Sequence, residues 1–234
     1  MISNKSRIID NACHQGRMTL TEIESKQLFA EAGFRVVVTK QAASKQEAVA
    51  LSDKIGYPVV LKVDSVDISH KSDAGGVKVG LKNAKEVEAG YDEIMVSAKK
   101  AFPDAEVDGV SVQSMARPGI EIIMGMFKDA QFGPVLMFGL GGILVEVLKD
   151  VAFRIVPLAK RDAREMIKEL KGHKLLEGYR GQEPANIPYL EEMLLKLSEF
   201  VDKTPKIKEI DINPVFAYRD GAVVVDARIG LEDK

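Results

Sequence analysis

The chain is 234 residues long, enough for one large domain or two lobes with a sizeable core. Its 33 basic and 35 acidic side chains leave a net charge of −2, so the charge balance gives no argument for nucleic acid or an anionic membrane as a partner. Cys13 is the only cysteine, which excludes an internal disulfide and a thiolate metal centre; with no signal-like start and no apolar run near the ~18 residues of a membrane span, a cytoplasmic protein is expected.

Helices are expected where a hydroxyl or amide is followed three residues later by Glu: Thr21 with Glu24, Ser44 with Glu47, and Asn83 with Glu86. The first should stop at Gly33, a natural C-cap, and a strand should follow at 35–39. The next strand, 58–63, is apolar except for Lys62. That lysine either faces a polar cleft or counter-ion, where its ammonium suits phosphate, or marks the solvent face of a half-buried strand. A polar loop then carries Asp67, His70, Lys71 and the pair Gly75-Gly76 into a strand at 77–81. Paired glycines let backbone N–H groups approach an anion, and they also fill ordinary turns. His70 is flanked by Ser69, Lys71 and Ser72 and reads as exposed. It is either a solvated side chain or a nucleophile that accepts a phosphoryl group.

The helix after Asn83 carries Val87, Tyr91, Ile94, Met95, Ala98 and Phe102 on one stripe and ends before Pro103. The stretch 102–109, rich in Pro, Asp and Gly, is the least cohesive point and marks a lobe boundary. Strands at 110–115 and 120–127 meet at the turn Arg117-Pro118-Gly119. Ile120, Ile122, Met124 and Met126 form a core stripe. Glu121, on the other side, is either a ligand for both hydroxyls of a ribose or simply the outward residue of an alternating strand. Further strands are expected at 135–138, 143–147 and 153–156. Gly139, Gly141 and Gly142 precede a strand-like run ending at Glu146, so they do not form a dinucleotide fingerprint, which opens a helix. Arg154 is again one charge in an apolar strand. It would neutralise charge on a transferring phosphoryl group or pair with Glu146. Helices near 161–171 and 188–202 lead to the last segment.

That segment reads Glu209-Ile-Asp-Ile-Asn-Pro214, then Asp220-Gly221, then Val223-Val-Val-Asp226-Ala-Arg228. Asp-Gly is a strong hairpin-turn signal; with those two residues as the turn, Val215 stands opposite Asp226. Asp211, Asn213 and Val215 then share one face with Asp226. Three oxygen-bearing side chains on one patch suit Mg²⁺, which takes one or two carboxylates and fills its shell with water and substrate phosphate. The alternative is a hairpin with a polar solvent face. Nucleophile-elbow, zincin and P-loop patterns are absent from the sequence. The whole is an α+β pattern with largely antiparallel connections.

Taken together, several ordered motifs resemble the ATP-grasp (β) subunit of NDP-forming acyl-CoA synthetases, from about Leu20 to the C-terminus. They are Thr21-Glu-x-Glu-Ser-Lys-Gln-Leu-Phe, Tyr57-Pro-Val-Val-Leu-Lys62, Gly75-Gly-Val-Lys78-Val, Leu176-x-Gly178-x-Arg180-Gly181 and Glu209-Ile-Asp-Ile-Asn-Pro. Succinyl-CoA synthetase β subunits are related, but their loop at the position of His70 is usually Gly-rich and basic. The resemblance implies a two-lobed ATP-grasp fold with the nucleotide between the lobes: residues 21–108 as an inserted N-terminal lobe, and 1–20 with 109–234 as the C-terminal lobe. It implies that Lys62 contacts the phosphates of ATP or ADP and that Gly75 and Gly76 belong to a phosphate-covering loop. Gln113, Ser114 and Met115 would form the hinge along the adenine, Glu121 the ribose ligand, Asn213 and Asp226 the Mg²⁺ ligands, and Arg154 a phosphate contact. His70 would be a second phosphohistidine, taking phosphoryl from a catalytic histidine on a separate CoA-binding α subunit, with Asp211 orienting it. An α₂β₂-like assembly is implied. The alternatives are an ATP-grasp carboxylate–amine ligase, which gives His70 no covalent role, and a non-catalytic nucleotide-sensing subunit.

Overall fold

The computed structural model describes residues 4–68, 71, 75–142 and 149–233. His70, Glu146 and the strand expected at 143–147 lie outside the described residues. Two helices open the chain, α1 (Asn4–His14) and α2 (Glu22–Glu31). The chain divides into two compact units: Met1–Leu20 with Glu24–Val36 and Pro118–Lys234, and Thr21–Ile23 with Val37–Arg117.

The smaller unit contains β1 (Thr39–Ala42), α3 (Lys45–Ile55), β2 (Val59–Asp64), β3 (Val77–Leu81), α4 (Ala84–Ala101) and β4 (Gly109–Ser114). Its sheet runs β1-β4-β2-β3, every pairing antiparallel. Both helix starts are capped as expected: Ser44 Oγ accepts from Glu47 N–H at 3.2 Å, and Asn83 Oδ1 from Glu86 N–H at 3.1 Å. The reciprocal carboxylates reach one residue further back, to Ala43 N–H and Lys82 N–H. Val59, Leu61 and Val63 of β2 form the core with Val87, Ile94 and Ala98 of α4.

Two boundaries differ from the sequence expectation. The stretch 102–109 only connects α4 to β4; because β4 pairs with both β1 and β2, the smaller unit runs on to Arg117 instead of ending at 108. The first strand lies at Thr39–Ala42, not 35–39. Arg35 C=O instead accepts from Val224 N–H at 2.8 Å, in the larger unit.

The larger unit adds β5 (Ile120–Asp129), β6 (Gly133–Leu140), β7 (Val151–Ile155), α5 (Lys160–Glu169), α6 (Ile187–Asp202), β8 (Ile207–Tyr218), β9 (Gly221–Val224) and β10 (Arg228–Leu231). Its antiparallel sheet runs β10-β8-β5-β6-β7, with β9 also on β8. One face carries Met124, Met126, Leu136, Phe138, Ile210 and Ile212, in one core with Leu190, Leu194 and Leu197 of α6 and Ile9 and Ala12 of α1. Each such Leu, Ile, Met or Phe side chain, fully buried, contributes about 1.5–3 kcal/mol. The opposite face carries Glu121, Asp211 and Asn213.

Candidate functional site

In the smaller unit, all six residues of β2 are buried, Lys62 included. Its side chain is 7% exposed and donates to Glu22 Oε1 at 2.8 Å. The reading of Lys62 as a solvent-facing residue is therefore excluded: a carboxylate meets its ammonium and offsets the cost of burying it. The other oxygen, Glu22 Oε2, accepts from Lys71 Nζ at 2.6 Å. Neither partner was singled out from the sequence. Glu22 looks like any acidic residue in a first helical turn, and in the sequence Lys71 reads as a sign of exposure beside His70. Removing one partner of a buried ion pair typically costs about 3–5 kcal/mol, so this cluster is held in place.

Gly76 follows, and its glycine has a steric cause. A Cβ there would lie 2.6 Å from Val63 Cγ1 and 2.9 Å from Lys71 O, because Gly76 N–H donates to Lys71 O and Gly76 O accepts from Val63 N–H. Gly75 is exposed, with φ +64°. Gln113 is buried in β4, where Ser114 N–H donates to Val38 O. Met115, 41% exposed, donates its N–H to Pro58 O at 3.3 Å just before the smaller unit ends.

In the larger unit, a one-residue bulge decides which side chains meet. Ile122 pairs with Val215 but Met124 with Ile212, so three steps on β8 match two on β5. Ile210 and Ile212 are buried before the bulge, Val215 and Ala217 after it, while Asp211 and Asn213 are exposed. Val215 thus lies on the core face, not with Asp211 and Asn213 as alternation alone required. The turn also differs. Tyr218 pairs with Gly221, leaving Arg219 and Asp220 as the loop, and Gly221 takes φ +132° where other residues are disfavoured. Val215 therefore faces Val224. Carrying that register two residues on, with Val225 N–H donating to Pro214 O at 3.0 Å, sets Asp226 abreast of Asn213.

Glu121 belongs to the same outer face: it alternates with the core residues Ile120 and Ile122, in step with Gly125, which pairs with Asp211. Gly141 N–H donates to Glu121 O at 2.8 Å, and a Cβ on Gly142 (φ +62°) would stand 2.9 Å from Glu121 Oε2. Those glycines make room for the carboxylate. Asp211 pairs in register with Arg228. Its carboxyl is pushed above the usual carboxylate range, first by partial burial and then by the charge of Asp226, with Arg228 pulling the other way. Beside it a shallow groove of about 310 Å³ runs between Gly125, Phe127, Met137, Asp211 and Arg228.

Arg154 is not brought to this face. It pairs with Leu136, on the core side of β6, and donates to Glu169 Oε2 at 2.7 Å and to Phe153 O. The structure gives Arg154 an ion pair with Glu169 in place of the expected Glu146; Phe153, its neighbour, takes the outer face and packs on Phe127. Among the described residues no group of three or more His, Cys, Asp or Glu forms a metal cluster. Asn213 and Asp226 still offer hard oxygens of the kind that bind Mg²⁺ with water and phosphate completing the shell.

The ATP-grasp domain family matches residues 11–231. The chain is 47% identical over 230 residues, 98% of itself and 99% of its relative, to the acetate–CoA ligase [ADP-forming] I subunit beta of Pyrococcus furiosus. Its fold matches, with TM-score 0.96 and 45% identity over 98% of this chain and 100% of the other, the dinucleotide-forming acetyl-coenzyme A synthetase 1 of Ca. Korarchaeum cryptofilum, solved with coenzyme A and Ca-AMPCP. A longer relative, acetate–CoA ligase [ADP-forming] I of Archaeoglobus fulgidus, is 44% identical over 86% of this chain, which covers 29% of its length. The chain belongs to the ATP-grasp family and, within it, to the β subunits of ADP-forming acyl-CoA synthetases.

Proposed function

We propose that this chain is the nucleotide-binding subunit of an ADP-forming acyl-CoA ligase, active with a CoA-binding α subunit in an α₂β₂ assembly. The overall reaction is acyl-CoA + ADP + phosphate ⇌ carboxylate + ATP + CoA. Phosphate displaces CoA to give an acyl phosphate, whose phosphoryl group passes to a histidine of the α subunit and leaves the carboxylate. His70 takes the phosphoryl group next and hands it to the β-phosphate oxygen of ADP, which forms ATP and frees the imidazole. On this chain Lys62 holds nucleotide phosphate, Gln113 to Met115 lie along the base, Glu121 binds the ribose hydroxyls, and Asp211 orients the phosphohistidine. Asn213 and Asp226 would hold Mg²⁺, which supplies positive charge to the phosphate oxygens when bound.

The observation that supports this most is the shared outward placement of Glu121, Asp211 and Asn213, with Asp226 set abreast of Asn213 by the hairpin register. A polar solvent face would not need glycines cleared around one carboxylate. The test is incubation of the chain with Mg²⁺ and γ-labelled ATP, with and without its α partner. An acid-labile, base-stable phosphoryl label is expected, and it should be lost in His70→Ala. A folded chain that takes no such label even with the α partner would leave the amine-ligase or sensing alternatives.

A further inference from the structure

Two lysines in the smaller unit meet on the two oxygens of one carboxylate. Lys62 Nζ is 2.8 Å from Glu22 Oε1 and Lys71 Nζ is 2.6 Å from Glu22 Oε2, so the ammonium groups are neighbours. Their exposures are graded: 2% for the Glu22 side chain, 7% for Lys62 and 17% for Lys71. The carboxylate is innermost, and the two ammonium groups lie nearer solvent. The backbone reinforces the geometry, since Lys71 C=O accepts from Gly76 N–H at 2.8 Å and Gly76 C=O accepts from Val63 N–H, next to Lys62. Lys71 is thus fixed at both ends, by its main chain on the β2–β3 connection and by its ammonium on Glu22.

We propose that Lys71 is a second phosphate-binding cation beside Lys62, and that Glu22 is the positioning residue that holds the two ammonium groups together for the phosphates of a nucleoside diphosphate. This rests on the reading of Lys62 as a nucleotide-phosphate ligand. A buried carboxylate behind two lysines fixes their side chains before ligand arrives, so less side-chain freedom is lost on binding. It also offsets the repulsion between two neighbouring ammonium groups. Lysine suits the role because its ammonium acts as a point charge that does not demand the planar fork of arginine.

The test is calorimetric titration of the full chain with Mg-ADP and, separately, with adenosine. Wild-type protein that fails to bind Mg-ADP would refute the functional reading itself, before the present proposal is reached. Given wild-type binding, Lys71→Met is expected to weaken Mg-ADP about tenfold or more, the scale of losing one hydrogen bond between charged groups, and to leave adenosine unchanged. Glu22→Gln should do the same, Glu22→Asp should recover part of the loss, and Glu22→Gln should add nothing in a Lys62→Met, Lys71→Met background. Lys71→Met that binds Mg-ADP as tightly as wild type overturns the proposal. So does Glu22→Gln that weakens Mg-ADP and adenosine equally, which would mark a general packing role. Should Glu22→Gln fail to fold, Lys71→Met, which leaves the Glu22–Lys62 pair in place, decides the question alone.

Discussion

The cationic and the acidic regions of this protein are built on opposite plans. In the smaller unit, buried Lys62 and half-buried Lys71 both meet Glu22. In the larger unit, Asp211 and Asn213 stand on the outer face of a bulged strand, and partial burial, then the charge of Asp226, raises the carboxyl of Asp211. Buried ammonium groups have to carry their counter-charge with them, because desolvation would otherwise neutralise them. Carboxylates nearer the surface need less compensation, since water supports them. The first region suits an anion and the second a cation.

The sharpest way to break this contrast is to remove the charge on each side in turn. Lys62→Met and Asp226→Asn should each lower ADP phosphorylation by on the order of a hundredfold or more, the scale of losing one electrostatic contact to a transferring group. Steady-state assays of the subunit with its α partner would check this. Activity within threefold of wild type in either variant would remove that residue from the chemistry. The two variants should then part company in their metal dependence. Asn213→Ala and Asp226→Asn should raise the Mg²⁺ concentration for half-maximal activity about tenfold. Lys62→Met should leave that concentration alone and raise the KM for ADP instead. A common shift in all three variants would mean that the regions do not divide the work as drawn.

The acidic side also depends on space. Gly142→Ala sets a methyl 2.9 Å from Glu121 Oε2 in a backbone held at φ +62°, so the carboxylate must move. The expected result is a several-fold rise in the KM for ADP with kcat little changed, and a stability loss of about 1–2 kcal/mol from the left-handed backbone. A denaturant melt and a KM measurement separate the two effects. An unchanged KM beside the stability loss would show that Glu121 does not bind nucleotide.

Much of this arrangement is legible in the sequence, and the misses have physical causes. The capped helices, the isolated charge of Lys62 and the oxygen-rich hairpin are local signals, and each marks a real element. The bulge between Asn213 and Val215 is not legible, because alternation assumes one residue per step on both strands. Asp220-Gly221 predicts a turn one residue away from the observed pair, Arg219 and Asp220, since glycine is placed after the loop where φ +132° is needed. Glu22 and Lys71 were missed because their meaning comes from a contact 49 residues apart in sequence. Single charges in apolar strands also look alike: Lys62 and Arg154 share one pattern, but only the register of their strands tells which face each serves.

That last pair supplies the mildest prediction and the cleanest control. Arg154 stands in register with Leu136 on the core side of the sheet, and its guanidinium reaches Glu169 at 2.7 Å. Glu169 is 52% exposed, so water competes for the pair and its net worth falls in the range of about 0–1 kcal/mol. Arg154→Met keeps the apolar stem against the sheet and deletes only the charge. Its stability should fall by no more than about 0.5–1 kcal/mol in a denaturant melt, with kcat and both KM values within twofold of wild type. A tenfold loss of activity without a loss of stability would return Arg154 to the phosphoryl chemistry. It would then follow that a charge on the helix-covered face of the larger sheet can act on the reaction, which the strand register of this protein argues against.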